Sequence, residues 1–241
     1  MSPSFHADWP SYYAAVSIQP PRHTLIRTLT LFERERRLDA QARSQPEARE
    51  SRKSEATSAR VLRAADLGCG NGRDTILLLE RGWQVLAIDA ERQAIATLRD
   101  RVQKRARHTP NLGQHLTTQS CSFADIDWPA SLQLINASFS LPFCPPDRFL
   151  GVWQAIRQVL QAGGWFCGQF FGDRDEWSVY DNVTSVSRSE LLVLLQGAKI
   201  IELEEEEYDG QTATGTPKHW HIFHVIVQFP KATSGEILTE C

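Results

Sequence analysis

The stretch "ADLGCGNGRDT", residues 65–75, lies between the run "RVLRA" and the leucine-rich "ILLLER". An acid, Asp66, closes the first run, and Gly68, Gly70 and Gly72 follow at alternate positions. Each glycine weakens local structure through backbone entropy, so three together call for a compensating contact. A strand that turns through glycines into a helix offers bare amides and a helix N-terminus to a ligand. The spacing therefore predicts a strand, a turn and a helix built around something bound. A dinucleotide turn wants GxGxxG, and Gly68 and Gly70 fit it. Arg73, however, stands where the third glycine would allow close helix-to-strand packing, and the extra glycine is Gly72.

The same strand–helix rhythm continues outward from this unit. "WQVLAIDA" reads as a second strand closing near Asp89, and "ERQAIATLRDRVQKRAR" as a helix with Ala94, Ile95, Leu98 and Val102 on one face. "HLTTQSC" and "LQLINASFS" read as the third and fourth strands, and "DRFLGVWQAIRQVL" as a helix that Gly163-Gly164 should end. "WFCGQFFG" is apolar on both sides, as a buried parallel strand is. Ser187 with Glu190 forms a capping-box pattern, and Gly197 should stop that helix. "KIIELEEEEYDG" and "TPKHWHIFHVIVQF" predict an antiparallel hairpin. The expected fold is α/β: a doubly wound, mostly parallel, seven-stranded Rossmann-like sheet with a C-terminal antiparallel hairpin. Before it, Leu25, Leu29 and Phe32 recur at helical spacing from Pro21 onward. Residues 1–45 read as an N-terminal helical extension, 46–59 as a linker, 60–230 as the main domain and 231–241 as a flexible tail.

With 241 residues, 41% hydrophobic and 23% charged, the chain suits one generous soluble domain. A net charge of −3 and a pI near 6.2 require neither nucleic acid nor an anionic membrane as partner. Its five cysteines are scattered, with no CxxC pair. They read as reduced thiols in a cytoplasmic protein. The N-terminus lacks the basic start and apolar core of a signal peptide, and no apolar run approaches the ~20 residues of a membrane span. Oligomeric state is not legible.

The run "DLGCGNG", with the order of elements over about residues 60–229, resembles the first motif and fold of the class I S-adenosylmethionine-dependent methyltransferases. Within that superfamily "DLGCGNGRDTILLLERGWQVLAID" is similar to the small-molecule group that includes tellurite-resistance and thiopurine methyltransferases. The resemblance implies S-adenosyl-L-methionine as cofactor. It also implies roles by position. Asp66 would accept from the cofactor's amino group, directly or through water, and Gly68, Gly70 and Gly72 would clear space for homocysteine and ribose. Asp89 would take both ribose hydroxyls. Asp125, or Asp127 beside it, would meet the adenine amine, with Phe123 or Ile126 on the adenine face. Asn136 and Ser138 would sit where cofactor and substrate meet. Methyl transfer to a soft nucleophile needs alignment more than a general base, so no catalytic residue is singled out.

Other features were weighed against plainer readings. Cys144 in "LPFCPPD" lacks the context of a base-attacking cysteine and reads as a buried small residue in a rigid turn. His219 and His221 share one face of a strand and His224 points to the other, so three ligands on one metal would need a break in it; no metal is expected, and they read as exposed or half-buried sheet histidines. "EEEE" at 204–207 reads as a solvated sheet edge. In the N-terminal segment Tyr12, Tyr13 and Arg22, with Trp9, would form either a lid over the site or one more packed helix. Arg174 follows the fifth strand, where ligands bind in such sheets; it would hold an anionic substrate or be a surface charge. The expected acceptor is a small molecule. Residues 22–63, with 11 basic against 6 acidic side chains, keep a nucleic-acid or protein acceptor open. A non-catalytic binding protein of the same fold is the remaining alternative, and the intact glycine turn and acids speak against it.

Overall fold

The computed structural model describes residues 3–44, 61–109 and 111–230. The expected linker at 46–59 and the tail at 231–241 lie outside the described residues. Strands β1 (Arg63–Leu67), β2 (Gln84–Asp89), β3 (Leu116–Ser120), β4 (Leu132–Ala137) and β5 (Leu160–Gly172) pair in parallel in the order β3-β2-β1-β4-β5. A two-residue strand, β6 (Ser185–Val186), continues beside the end of β5. Strands β7 (Lys199–Gln211) and β8 (Pro217–Gln228) form the expected hairpin, with β8 antiparallel to β5 and β7 at the outer edge. The sheet is thus the expected seven strands plus the short β6.

Side chains alternate across a strand, and the two faces carry separate cores. Ala65, Leu67, Ile88, Ile135, Phe166 and Phe223 point to one face, against helices α5 (Pro146–Val159) and α6 (Arg188–Leu194). Ala64, Val85, Ala87, Leu134, Cys167 and Ile226 point to the other. That side is covered by α2 (His23–Ser44), α3 (Arg73–Glu80) and α4 (Arg92–Ala106). The predicted stripes hold: Leu25, Leu29 and Phe32 are buried in α2, and Ala94, Ile95, Leu98 and Val102 in α4. The capping box at Ser187 and Glu190 makes both of its bonds.

Two differences have physical causes, and the expected N-terminal extension includes a first helix. Gly163-Gly164 does not end α5. Leu160 leaves the helix in an extended conformation and pairs with Leu132, so the glycines lie inside β5, where Gly163 adopts φ +83° and its N–H donates to Phe229. His221 is buried rather than half-exposed, since its ring fills the space that a Cβ on Gly172 would occupy. Finally, residues 8–16 form a helix, α1 (Trp9–Val16), capped by Asp8 with Pro10 in its first turn. It buries no residue of its own; it lies across the C-terminal ends of the parallel strands.

Candidate active site

The strand order reverses between β1 and β4, and the crevice at such a switch point is where ligands bind in open α/β sheets. The glycine turn sits there. Gly68, Gly70 and Gly72 have φ of +65°, +50° and +80°, the left-handed region that only glycine adopts freely. Their open sides face different neighbours. A Cβ on Gly68 would come within 2.4 Å of the Ser140 Cβ, and one on Gly70 within 2.9 Å of the Tyr13 ring. A Cβ on Gly72 would meet Leu98 of α4 at 2.2 Å. Gly72 therefore permits helix packing rather than lining the cavity, which corrects its expected role. Arg73, freed from that packing duty, turns outward and donates from Nε to the Pro20 carbonyl at 2.5 Å.

Two acids end adjacent strands and differ in surroundings. Asp89 receives the Gly70 N–H at 2.7 Å and the Glu91 N–H at 2.9 Å, and the Tyr13 hydroxyl reaches both its oxygens at 3.2 Å. Burial holds its carboxyl above the usual range against the pull of those donors. Burial, and then Asp89 itself, likewise raises the Tyr13 phenol. Asp66 is 2% exposed. Thr75 donates to one oxygen at 2.5 Å and Asn136 to the other at 2.8 Å. Burial, reinforced by the nearby Asp74, raises its carboxyl, and the two donors offset only part of this. Asn136 also donates to Asp74 at 3.2 Å, while its oxygen accepts from Ser138 at 3.0 Å. Fully buried and fully bonded, Asn136 joins the two acids and does not reach the cavity; it is a positioning residue, not a direct contact.

A cavity of about 400 Å³ opens beside the turn, lined by Gly68, Asp89, Phe123, Asp125, Ser138 and Ser140 among others. Asp125 stands in the wall, with its carboxylate bonded to Ser122 at 2.6 Å, and Asp127 does not line this cavity. Phe123 likewise faces the cavity, whereas Ile126 is buried in the core. A narrower crevice of about 50 Å³ joins Asp66, Gly70, Asp74, Arg22, Arg73 and Arg101.

A third space of about 530 Å³ adjoins the first and shares Trp9, Tyr12, Phe139 and Phe143 with it. Phe171, Trp177, Tyr208 and Trp220 complete its aromatic walls. Tyr12 and Arg22 line it. Its roof is pinned in place: the Phe5 backbone makes two hydrogen bonds with the Asn182 side chain, and the Phe5 ring lies tilted against Trp177 at 4.5 Å. Arg174 is not part of this space. It folds back over the hairpin and pairs with Glu207 at 2.7 Å and Glu205 at 3.2 Å on the outside, which explains why its guanidinium is held above its ordinary value.

Several wall residues escaped the sequence reading. Phe139 adopts φ +52°, rare for a bulky residue and a common mark of a functional loop. Asp74, which accepts the Arg22 backbone N–H at 2.8 Å, was visible only as an acid in the first turn of a helix. Tyr208 and Trp220 are directly paired in the hairpin, and nothing local in their sequence marks them.

A methyltransferase-domain family model matches residues 64–164. No curated protein matches the chain in sequence. Among solved structures the chain is similar to TehB from Haemophilus influenzae, with TM-score 0.59 and 15% identity over 71% of this chain and 58% of that one. The chain thus spans somewhat over half of TehB's length. It is also similar to the 1,6-didemethyltoxoflavin-N1-methyltransferase of Burkholderia thailandensis, with TM-score 0.53 and 20% identity over 71% and 72% of the two chains. A third similar structure is the [4+2]-cyclase SpnF, with TM-score 0.54 and 14% identity over 71% and 76%. Such identities speak for the fold, and a cyclase among the neighbours shows that chemistry must be read from the site. Among the described residues no helix is long and apolar enough to cross a membrane. Residues 64–164 thus match a methyltransferase domain, and the strand order with its glycine turn at the switch point is the fold that these neighbours share.

Proposed function

We propose that the chain methylates a small-molecule acceptor held in the aromatic chamber between α1, the loop after β5 and the hairpin. The observation that carries this is the pair of adjoining cavities, one lined by acids and glycines and the other by aromatic rings, with Phe139 and Phe143 in the wall of both. The residues of the first cavity fit the cofactor. Asp89 offers a carboxylate for the ribose hydroxyls, Phe123 a flat apolar face and Asp125 an acceptor for the adenine amine. The Ser140 hydroxyl is buried on that wall with no partner among the described residues, an unmet polar group of the kind a ligand satisfies. Asp66 and Asp74, in the crevice, favour a cationic amino group.

When bound, S-adenosylmethionine supplies a methyl whose C–S bond breaks, its electron pair passing to sulfur, as the acceptor's lone pair forms the new bond. The chain's own residues position the partners and exclude water. Asn136 holds Asp66 and Asp74, Ser138 and Phe139 shape the edge between the two spaces, and α1 with the Pro3–Phe5 strap covers both as a lid. The toxoflavin enzyme, which methylates a small molecule, supports the acceptor class by likeness of fold. One cation of the basic stretch at 22–63 is already compensated from the hairpin, since Arg27 pairs with Glu202.

The test is to incubate the protein with methyl-labelled S-adenosylmethionine and a cell extract, then separate products by size. Label in the low-molecular-weight fraction is the expected result; label confined to protein or nucleic acid would overturn the acceptor class.

A further inference from the structure

Two guanidinium groups line the aromatic chamber, and neither forms an ion pair with a described residue. Arg22 lays its face on the Phe139 ring at 4.3 Å, and its one other side-chain contact is a long 3.4 Å bond to the Tyr12 hydroxyl. Arg73 spends its Nε on the Pro20 carbonyl. The remaining cation of this region, Lys218, is buried and neutralised by Asp175 at 2.5 Å inside a box made by Phe171, Trp177 and Trp220. The one acid in the chamber wall, Asp8, is committed to capping α1 through Ser11. The chamber thus combines aromatic walls with two guanidinium groups that make no ion pair among the described residues, although Asp74 stands near enough to Arg73 to act on its charge.

The Phe139 ring holds the Arg22 guanidinium in the wall, and apart from the long bond to Tyr12 no hydrogen bond from its N–H donors is made among the described residues. The edge that carries those donors suits a planar oxyanion, which a guanidinium binds through two parallel bonds. The chamber, at about 530 Å³, is in the range of pockets for single small ligands. We infer that the acceptor is a planar aromatic acid, its ring between the aromatic walls and its carboxylate on the edge of Arg22. This rests on the small-molecule reading above and adds to it the class of substrate. Arg22 also borders the crevice that holds Asp66 and Asp74, so the competing role for it is the carboxylate of the cofactor itself.

The test uses the full chain saturated with S-adenosylhomocysteine and two probes of equal shape, 2-naphthoate and 2-naphthamide, titrated calorimetrically. The expected result is at least tenfold tighter binding of the acid. In Arg22→Gln the preference should vanish while the affinity for S-adenosylhomocysteine changes less than threefold. Equal binding of the two probes to the unaltered protein would overturn the inference without recourse to any variant, as would binding of neither. Loss of S-adenosylhomocysteine in Arg22→Gln, in parallel with loss of naphthoate, would assign the arginine to the cofactor and overturn it too. Failure of the folded, unaltered protein to bind S-adenosylhomocysteine would instead strike the methyl-transfer reading beneath it.

Discussion

At the scale of single residues the three glycines do different work, although they look alike in sequence. Gly72 combines φ +80° with a neighbour 2.2 Å from where a Cβ would stand. Gly72→Ala should therefore destabilise the fold by about 2–4 kcal/mol through backbone strain and overpacking, read as a lower urea midpoint. Leu98→Ala in the same chain should return the overpacking part. A midpoint unchanged by Gly72→Ala would refute the packing role. Asp66 gives a second prediction. Its carboxyl is held above the usual range in the folded protein, so its contribution to stability is fully present below the unfolded value of about 3.9 and is lost as pH rises through the folded one. D66N removes that dependence. Its stability relative to the unaltered protein should grow with pH between about 4 and 7 and level off above, by at most about 1.4 kcal/mol per pH unit; a gap that stays constant over that window would contradict the burial argument. The acids and glycines of the turn were legible because their spacing has a chemical reason. Asn136 and Gly72 were assigned to the ligand because a linear pattern does not say which way a side chain faces.

Elements show the same division. The five parallel strands, the hairpin and helices α3 to α6 follow from apolar periodicity and glycine stops, and their edges fall within a few residues of the expectation. The end of α5 does not, because strand pairing of Leu160 with Leu132 overrides the local glycine signal. Helix α1 was the least legible, since it has no buried face to impose a period; tertiary contacts of its rings hold it over the crevice. Trp9 meets Phe143 at 4.8 Å, and Tyr13 reaches Asp89. The Tyr13 hydroxyl occupies the acid that ribose hydroxyls would use, so α1 competes with the cofactor for one carboxylate. Tyr13→Phe should tighten S-adenosylhomocysteine binding about ten- to a hundredfold, the worth of one hydrogen bond to a charged group at about 1.5–3 kcal/mol, measured by calorimetry. Weaker binding in the variant would mean that the hydroxyl joins the bound cofactor instead of competing with it.

Across the whole molecule, the parallel sheet sets out its acids in a row. Asp66 and Asp89 close neighbouring strands, while Asp74 opens the next helix, and all three are buried at one end of the sheet. Carboxylates concentrated in this way cost stability unless something cationic or hydrogen-bonding compensates them, and among the described residues the donors to Asp66 and Asp89 are neutral. The arrangement makes sense as a site prepared for a ligand with an amino group and two hydroxyls. The hairpin and the N-terminal strap then close an aromatic space against it, from parts of the chain too far apart for sequence spacing to connect. The most direct test is titration of the purified chain with S-adenosylhomocysteine and, separately, with NAD, alongside Asp89→Ala. The account predicts micromolar binding of S-adenosylhomocysteine, none of NAD, and a loss of roughly a hundredfold or more in Asp89→Ala, as removal of two charge-assisted bonds implies, with an unchanged circular dichroism spectrum. A folded protein that ignores S-adenosylhomocysteine, or an Asp89→Ala variant that binds it as well as the unaltered chain, would contradict it.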